Sequence, residues 1–340
     1  MILITGTAGF IGFHLAKKLL ESGHSVVGLD NINDYYDVNL KEARLKILKE
    51  IRLHKDQKYN FIKGNLENKN LINSIFKDFK PHKVCHLAAQ AGVRNSITNP
   101  ESYIQSNLIG FFNIINASKE NNVKHLVYAS SSSVYGGNTL MPFSEDHSVD
   151  HPVSLYGATK KSNELIAHTY SHIYKLPVTG VRFFTVYGPW GRPDMALFLF
   201  TKAIIEDKPI EVFNNGNMLR DFTYIDDIVN SLSLLLDKPA TIDQDFDSNK
   251  PKSSSSWNPH RIFNIGNSNP TPLMKFIEEI ETCLGKSAKK IYLPMQKGDV
   301  PATYSDSSKL YDWIKFKPNT TVKDGVAKFI EWYKNFYNVN

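Results

Sequence analysis

The fold is decided by the stretch Ile2-Leu3-Ile4-Thr5-Gly6-Thr7-Ala8-Gly9-Phe10-Ile11-Gly12, where a short apolar run leads into three glycines spaced GxxGxxG. The apolar run predicts a strand, and the glycines predict a tight turn into a helix whose first N–H groups can approach a pyrophosphate. A glycine-rich turn alone also occurs without a ligand. Here Asp30 follows about twenty residues later at the end of the next apolar run, and this spacing favours a dinucleotide site.

Apolar strands alternate with helical patterns through the N-terminal half, which predicts a parallel sheet with helices on both faces. The fold class is therefore α/β, a doubly wound sheet of the Rossmann type. Strands are predicted near Ile2–Ile4, Val26–Leu29, Asn60–Ile62, Lys83–Leu87 and Leu126–Ala129, and helices from Ile11 and near Leu40–Leu53, Leu71–Phe79 and Tyr103–Asn121.

The alternation weakens after residue 180, where helices are predicted near Leu197–Glu206, Asp227–Leu236 and Val322–Tyr337. We expect a cofactor domain at 1–180 and a smaller, mixed α/β substrate lobe at 181–340, with some chain crossing back to the first domain. The segment 239–260 has little apolar content and is interpreted as a mobile surface loop or insertion without a catalytic role.

Composition excludes several other classes. Cys85 and Cys283 are far apart and fit no metal or redox spacing, so no metal is expected. The net charge of +6 is spread along the chain and could serve an anionic small ligand as well as nucleic acid, so the charge alone decides nothing. We expect no nucleic-acid partner and no membrane association, and no apolar run reaches membrane-spanning length. The first residues are needed for the glycine turn and leave no room for a cleavable signal sequence, so we expect a cytoplasmic protein.

Asp30 also predicts which dinucleotide binds. Its carboxylate can accept both ribose hydroxyls of an adenosine and would repel a 2′-phosphate, and no basic residue follows in Asn31-Ile32-Asn33. NAD is therefore favoured over NADP, with Asn31 beside it. In Gly64-Asn65-Leu66, Asn65 is a candidate for the adenine edge.

The residues that carry chemistry lie in Ser130-Ser131-Ser132-Ser133 and in Tyr156-Gly-Ala-Thr-Lys160. Tyr156 and Lys160 are four residues apart at the start of a predicted helix, so both lie on one face, where the ammonium can stabilise a phenolate. A free tyrosine has a pKa of about 10 and is a poor base at neutral pH without such a cation. An isolated YxxxK pattern is common on surface helices, but here it follows a serine-rich strand end and a dinucleotide motif.

These motifs resemble those of the extended short-chain dehydrogenase/reductases, most of which act on nucleotide sugars. The likeness extends over nearly the whole chain, and within the family it is nearest to the UDP-glucuronate 4-epimerases. It is carried by Gly6–Gly12, His86–Gln90, Ser131–Gly136, Tyr156–Lys160, Arg182–Asp194, Arg220–Asp227 and Gly298–Ala302.

The resemblance implies that UDP-glucuronate and UDP-galacturonate are interconverted through a transient 4-keto sugar, with NAD bound. Ser131, Tyr156 and Lys160 would be catalytic. The cofactor would contact Tyr156, Lys160 and Gly6, Gly9, Phe10, Ile11, Gly12, Asp30, Asn31, Asn65, Leu66, Ala88, Ala89, Gln90 and Ser130. The UDP-sugar would contact Arg94, Ser131, Ser132, Ser133, Tyr156, Thr185, Arg192, Arg220 and Asp299, with the last three on the UDP.

Particular positions separate this reading from its alternatives. Galactose-type epimerases usually carry Asn at the position of Thr185, so Thr185 is expected to receive the uronic carboxylate together with Ser132 and Ser133. UDP-glucuronate decarboxylases usually carry an acid at the position of Ser133, and 4,6-dehydratases an Asp-Glu pair at the positions of Ser132 and Ser133. Asn65 stands where Asp is usual in the family, and Gln296 where many relatives have Arg.

The oligomeric state and one non-enzymatic alternative complete the expectations. The resemblance implies a homodimer packed through the Tyr156 helix and the helix near Tyr103–Asn121. A non-catalytic NAD-binding scaffold is the alternative from another class, and the intact set of Ser131, Tyr156 and Lys160 argues against it.

Overall fold

The structure is a computed structural model that describes residues 1–296 and 298–339. Its strands are β1 (Ile2–Thr5), β2 (Val26–Asp30), β3 (Tyr59–Lys63), β4 (Lys83–His86), β5 (His125–Ser131), β6 (Val178–Phe183), β7 (Thr185–Tyr187), β8 (Ile210–Val212), β9 (Leu219–Arg220), β10 (Phe222–Tyr224), β11 (His260–Ile265), β12 (Thr271–Pro272) and β13 (Lys290–Tyr292). Every strand expected in the N-terminal half is present.

The predicted helices are present close to their expected positions, and the structure contains further helices that were not predicted. The helices are α1 (Phe10–Glu21), α2 (Val38–Glu50), α3 (Lys69–Phe79), α4 (Asn95–Thr98), α5 (Pro100–Tyr103), α6 (Gly110–Glu120), α7 (Leu155–Tyr174), α8 (Ala196–Ile205), α9 (Ile225–Leu236), α10 (Leu273–Leu284), α11 (Ser308–Ile314) and α12 (Val322–Tyr337). The single helix expected over Tyr103–Asn121 is divided, because Ile104–Ile109 forms a π-helical stretch between α5 and α6.

Seven parallel strands form the central sheet in the order β3-β2-β1-β4-β5-β6-β11. The first six follow the strand order of a doubly wound dinucleotide-binding sheet, which confirms the predicted fold class. Side chains of β1 alternate between its two faces. Ile2 and Ile4 pack into a core with α1 and α9, whereas Leu3 packs into a second core with α3 and α6.

The second half of the chain contributes to both parts of the molecule. β11, at residues 260–265, returns to the central sheet and pairs with β6. The rest builds small two-stranded sheets, β7 with β10, β8 with β13 and β9 with β12, which pack with α8, α10 and α12. These elements lie beyond the carboxyl ends of the parallel strands, where ligands bind in such folds. Within the described part of the chain no helix is both long and apolar enough to cross a membrane.

The serine-rich part of segment 239–260 is attached to the body of the protein. Ser254, Ser255 and Ser256 are buried, and Ser254 and Ser255 donate hydrogen bonds to Asp146 and Asp243. Its low apolar content predicted a mobile loop, but polar partners hold these serines in place of apolar contacts.

Candidate active site

The glycine-rich turn joins β1 to α1 and has no space for larger side chains. Gly6 has a φ of 79°, and a Cβ there would lie 2.8 Å from the backbone nitrogen of Ala88. A Cβ on Gly12 would lie 2.1 Å from the carbonyl oxygen of Gly6. The first turn of α1 therefore forms the wall of a cavity, with backbone N–H groups that suit a pyrophosphate.

Asp30 ends β2 at the same edge of the sheet, and two backbone N–H groups hold its carboxylate. The N–H of Ala8 donates to one oxygen at 3.0 Å, and the N–H of Ile32 to the other at 2.8 Å. Burial raises the pKa of Asp30 above its usual value, although the Ile32 N–H and the Lys41 ammonium oppose this shift. Each oxygen keeps a further lone pair for a ribose hydroxyl. Asp30 and Asn31 both line the cavity.

Of the two cofactor-contacting residues expected after β3, only Leu66 lies at the cavity. Leu66 is buried and lines the cavity, together with Gly64 and Glu67. Asn65 is exposed and is not among the lining residues, and its carbonyl accepts the N–H of Asn68 in the turn before α3. The geometry therefore does not bring Asn65 to the cavity, because this turn leaves its side chain in solvent.

Ala88, Ala89 and Gln90 follow β4 and line the cavity. The backbone of Gln90 is fixed by Asn107, whose side chain accepts the Gln90 N–H at 2.8 Å and donates to the Gln90 carbonyl at 3.0 Å. Asn107 is buried in the π-helical stretch and also donates to Thr159 on α7 at 3.1 Å. One side chain therefore joins the wall after β4 to the helix α7.

Ser131 lies at the carboxyl end of β5, and Tyr156 and Lys160 lie in the first turns of α7. α7 begins here because Ser154 caps it, accepting a backbone N–H from the first turn at 3.1 Å. The Lys160 ammonium donates to the carbonyl of Ala129 at 2.9 Å and lies 5.9 Å from the centre of the Tyr156 ring. Ser131, Tyr156 and Lys160 all line the cavity, so the two motifs meet as their spacing suggests.

Burial acts in opposite directions on the two ionisable groups. It raises the pKa of Tyr156, and Ser131 and the positive charge of Arg192 oppose that shift. It lowers the pKa of Lys160 to about 8, so Lys160 is cationic at neutral pH and loses its charge as the pH rises through that value. The net shift of the Tyr156 pKa is thus opposite to the one expected from Lys160, because burial outweighs the hydrogen bond with Ser131 and the charge of Arg192.

A buried ion pair lies beneath the catalytic residues. Arg182 on β6 donates to both oxygens of Glu164 on α7, at 2.8 and 2.9 Å, and Ser130 donates to Glu164 at 2.6 Å. Glu164 follows Lys160 by four residues on the same helical face. The pair therefore fixes α7 against β5 and β6. Ser130 lines the cavity as well, but its hydroxyl is directed to Glu164.

Three uncharged hydroxyl side chains line the cavity near Ser131, namely Ser132, Ser133 and Thr185. Ser131 donates to the hydroxyl of Ser133 at 3.2 Å and accepts the Ser133 N–H at 3.1 Å. Thr185 begins β7 two residues after Phe183, which pairs with Ser131 in the central sheet. This wall can donate hydrogen bonds to an anion without supplying an acid or a base of its own.

The two arginines expected at the UDP, Arg192 and Arg220, line the cavity, and each has an acidic partner. Arg192 makes two hydrogen bonds to Asp194, at 3.0 and 2.6 Å, and Arg220 donates to Asp299 at 2.9 Å. We expected Asp299 on a ribose and the arginines on a diphosphate. Asp299 is partly exposed, whereas Arg220 is mostly buried and its guanidinium also donates to the carbonyls of Pro301 and Val300, at 3.1 and 2.7 Å. Arg94 is exposed at the cavity.

Sequence reasoning missed four residues that shape the site: Tyr35, Asn107, Glu164 and Asp194. Tyr35 and Asp194 line the cavity, whereas Asn107 and Glu164 lie behind its wall. Glu164 carried a usable signal, since it continues the helical face of Tyr156 and Lys160. Asp194 pairs with Arg192 two residues earlier, whereas Tyr35 and Asn107 are recognised only from contacts between residues distant in the chain.

These groups line one cavity of about 1000 Å³, which extends from the glycine turn past Tyr156 to Arg220. That volume is at the upper end of small-molecule sites and suits a dinucleotide with a second ligand. No group of three or more His, Cys, Asp and Glu among the described residues could hold a metal ion. The sheet is of the Rossmann type, and its cavity combines a carboxylate suited to ribose hydroxyls with a set of Ser, Tyr and Lys. This combination defines a nicotinamide-dependent enzyme that oxidises and reduces a hydroxyl-bearing substrate.

The chain belongs to the NAD dependent epimerase/dehydratase family, whose profile matches residues 2–266. It is 57% identical over 336 residues to Protein CapI of Staphylococcus aureus, with 99% of both chains covered. It is 46% identical over 336 residues to the probable UDP-glucuronate 4-epimerase of Rhizobium meliloti (strain 1021), which covers 98% of this chain and 97% of that protein.

A solved structure is similar over the same length. The UDP-glucuronic acid 4-epimerase from Bacillus cereus, in complex with UDP-glucuronic acid and NAD, matches with a TM-score of 0.87 and 32% identity, covering 99% of both chains. Together with the family match, this confirms the resemblance and the fold expected from the sequence.

Proposed function

We propose that the chain is a UDP-glucuronate 4-epimerase that interconverts UDP-glucuronate and UDP-galacturonate with NAD bound. The observation that carries the proposal is a single cavity in which Ser131, Tyr156 and Lys160 share a wall with uncharged hydroxyls. The test is product analysis by nuclear magnetic resonance after incubation with a panel of UDP-sugars. A galacturonate product that keeps its carboxylate is expected. Mainly UDP-pentose, or rapid epimerisation of UDP-glucose with no action on UDP-glucuronate, would contradict the assignment.

The fit to NAD rests on the glycine turn, the paired N–H groups at Asp30 and the wall after β4. When bound, NAD would supply a reversible hydride acceptor for C4 of the sugar and would be regenerated in each cycle. Tyr156 takes the proton of the 4-hydroxyl and afterwards gives it back, while Ser131 holds that oxygen. Lys160 keeps a positive charge beside Tyr156 and would hydrogen-bond the nicotinamide ribose.

Inversion at C4 requires the 4-keto sugar to rotate within the site, so that its opposite face is presented to the nicotinamide. Arg192, Arg220 and Asp299 would hold the UDP during this movement, because binding energy then resides in the part of the substrate that does not react. Hydride can return to the opposite face of the sugar without loss of the intermediate to solvent.

The 4-keto intermediate of a glucuronate is a β-keto acid, which loses CO₂ when its carboxylate bond aligns with the carbonyl π system. An epimerase has to prevent this alignment. Hydrogen bonds from Ser132, Ser133 and Thr185 would hold the carboxylate out of it. The absence of an acid at Ser132 and Ser133 also argues against the decarboxylase and dehydratase alternatives.

Exchange of Thr185 for Val tests this role, because Val matches the shape of Thr without its hydroxyl. We expect weaker binding of UDP-glucuronate, by about 10- to 100-fold for one lost hydrogen bond to a charged group, and a UDP-pentose by-product. Anomeric proton signals measure both products in one sample. Thr185→Ser, which keeps the hydroxyl, is the matched control. An unchanged product ratio in Thr185→Val would remove Thr185 from this role.

The charge of Asp30 predicts a preference for NAD over NADP. A 2′-phosphate would lie beside a carboxylate, and at about 4 Å two such charges repel by about 4 kcal/mol even with protein-like screening. We expect enzyme stripped and reconstituted with NAD to be at least about tenfold more active than with NADP, and Asp30→Asn to narrow this difference. Equal activity of the wild-type enzyme with both cofactors would show the interpretation of Asp30 to be wrong.

We also propose that the chain forms a homodimer through α6 and α7. The observation that supports it is a set of exposed apolar side chains on these helices: Phe112, Leu165, Ile173 and Tyr174. Light scattering should give twice the chain mass, and Leu165→Glu should shift it towards the monomer. A monomeric wild-type protein would contradict the proposal. The cytoplasmic location expected from the sequence remains a prediction.

A further inference from the structure

Arg192 reaches the cavity from the segment after β7, and its partners connect it to the loop that follows β2. Asp194 accepts two hydrogen bonds from the guanidinium, at 3.0 and 2.6 Å. The hydroxyl of Tyr35 donates to the same carboxylate at 3.2 Å, and the guanidinium lies 5.7 Å from the centre of the Tyr35 ring. Tyr35 belongs to the loop that follows β2 and carries the residues after Asp30.

Tyr35 orients Asp194, and Asp194 in turn orients the guanidinium of Arg192. One edge of the guanidinium faces Asp194, and its other N–H groups donate to no partner among the described residues, although Arg192 lines the cavity. Asp194 in turn is oriented by the Tyr35 hydroxyl. A Cβ on Gly92 would lie 2.8 Å from that hydroxyl, so the missing side chain there leaves space for Tyr35.

We propose that Tyr35 and Asp194 are positioning residues that hold Arg192 in the orientation needed by the diphosphate of the UDP-sugar; this inference rests on the proposed function. A two-point contact with Asp194 fixes the plane of the guanidinium, so less side-chain entropy is lost when the ligand binds. Tyr35 lies on the loop that would contact the cofactor ribose. The geometry of that loop therefore also affects the orientation of Arg192 and the affinity for the UDP-sugar.

The opposite reading is that Asp194 competes with the diphosphate for Arg192. Its negative charge would then oppose binding, and its removal would strengthen the site. The two hypotheses predict opposite changes in UDP affinity for one variant, Asp194→Asn, which removes the charge of the side chain and keeps its shape.

The experiment measures the affinity of the NAD-loaded enzyme for UDP by calorimetry in the wild type, Tyr35→Phe, Asp194→Asn and the double variant. UDP is the probe, so the result does not depend on which sugar is turned over. We expect Tyr35→Phe to weaken UDP about 5-fold and Asp194→Asn about 10-fold, typical of coupling between neighbouring groups. The double variant should bind like Asp194→Asn alone, because Tyr35 acts through Asp194.

Turnover separates positioning from a general loss of structure. In Tyr35→Phe the KM for UDP-glucuronate should rise with the UDP dissociation constant, while kcat stays within about twofold, since the lost contact affects binding of substrate and transition state alike. NAD content and melting temperature should match the wild type. The control is Tyr292→Phe, a half-exposed tyrosine on β13 whose hydroxyl has no hydrogen-bond partner among the described residues.

Tighter UDP binding by Asp194→Asn would overturn the proposal, as would equal losses from Tyr35→Phe with and without Asp194. A change in NAD retention without a change in UDP affinity would also overturn it, because Tyr35 would then serve the cofactor alone. Failure of the proposed function has a different signature, namely a wild-type enzyme that binds UDP but leaves UDP-glucuronate unchanged.

Discussion

Replacement of Tyr156 by Phe is expected to lower the turnover of UDP-glucuronate by about 10²- to 10⁴-fold, the range for loss of a positioned proton-transfer group. The ring remains, so the packing against Tyr103, whose centre lies 6.1 Å away, is kept. The start of α7 and the Lys160 contact to Ala129 do not involve the hydroxyl. The loss should therefore fall on the chemical step, and NAD should stay bound.

The measurement is single-turnover formation of UDP-galacturonate, with the nicotinamide content of each preparation determined after denaturation. Tyr292→Phe removes a half-exposed hydroxyl on β13 that is not part of the cavity wall, and the variant should be as active as the wild type. Near-normal turnover by Tyr156→Phe would mean that another group transfers the proton, and the proposed mechanism would fail.

The cofactor half of the site could be predicted because its requirements are written in short stretches of sequence. The turn at Gly6 needs a residue without a side chain, and Asp30 must follow at the end of the next strand, so both leave a local pattern. Tyr156 and Lys160 are likewise separated by one helical turn. Parallel strands bring their carboxyl ends to one edge, which is why these separate motifs meet at one cavity.

What could not be predicted depends on contacts between distant residues. The sequence indicated that some chain after residue 180 crosses back to the first domain, but it did not show that residues 260–265 are the segment that pairs with β6. Asn65 has a suitable side chain, but the turn before α3 leaves it exposed. The bond from Tyr35 to Asp194 spans 159 positions, and neither residue has a local pattern that identifies its partner.

The pKa of Tyr156 shows a different limit. The sequence places a cation one helical turn away and so favours a lowered pKa, but it does not show how completely the fold removes the phenol from water. Desolvation depends on all the surrounding elements, and here it outweighs the hydrogen bond with Ser131 and the charge of Arg192, which would lower the pKa. The chemistry was accessible from residue types, whereas its energetic balance required the packed structure.

The second large effect is expected at Glu164, behind the catalytic residues. Glu164→Gln keeps the size of the side chain but leaves the buried guanidinium of Arg182 without its negative partner. Breaking one side of a buried ion pair typically costs about 3–5 kcal/mol of the free energy of unfolding. Glu21→Gln, which breaks the exposed pair with Lys17, is the control and should cost about 0.5 kcal/mol or less. Urea denaturation of the three proteins measures both values.

The pH dependence of this loss provides a sharper test than its size. Burial raises the pKa of Glu164, but the charge and hydrogen bonds of Arg182 and the bond from Ser130 outweigh it, so the net shift is downward. A carboxylate whose pKa is lowered by folding contributes stability that is complete above the unfolded value, 4.5, and is lost as the pH falls through the folded value. The difference in free energy of unfolding between the wild type and Glu164→Gln should therefore be constant near neutral pH and shrink in acid.

Adding Arg182→Met to Glu164→Gln should restore part of the lost stability, because no unpaired charge then remains buried. A double variant as unstable as the sum of both single changes would show that the two residues act independently and that their ion pair does not hold α7 in place.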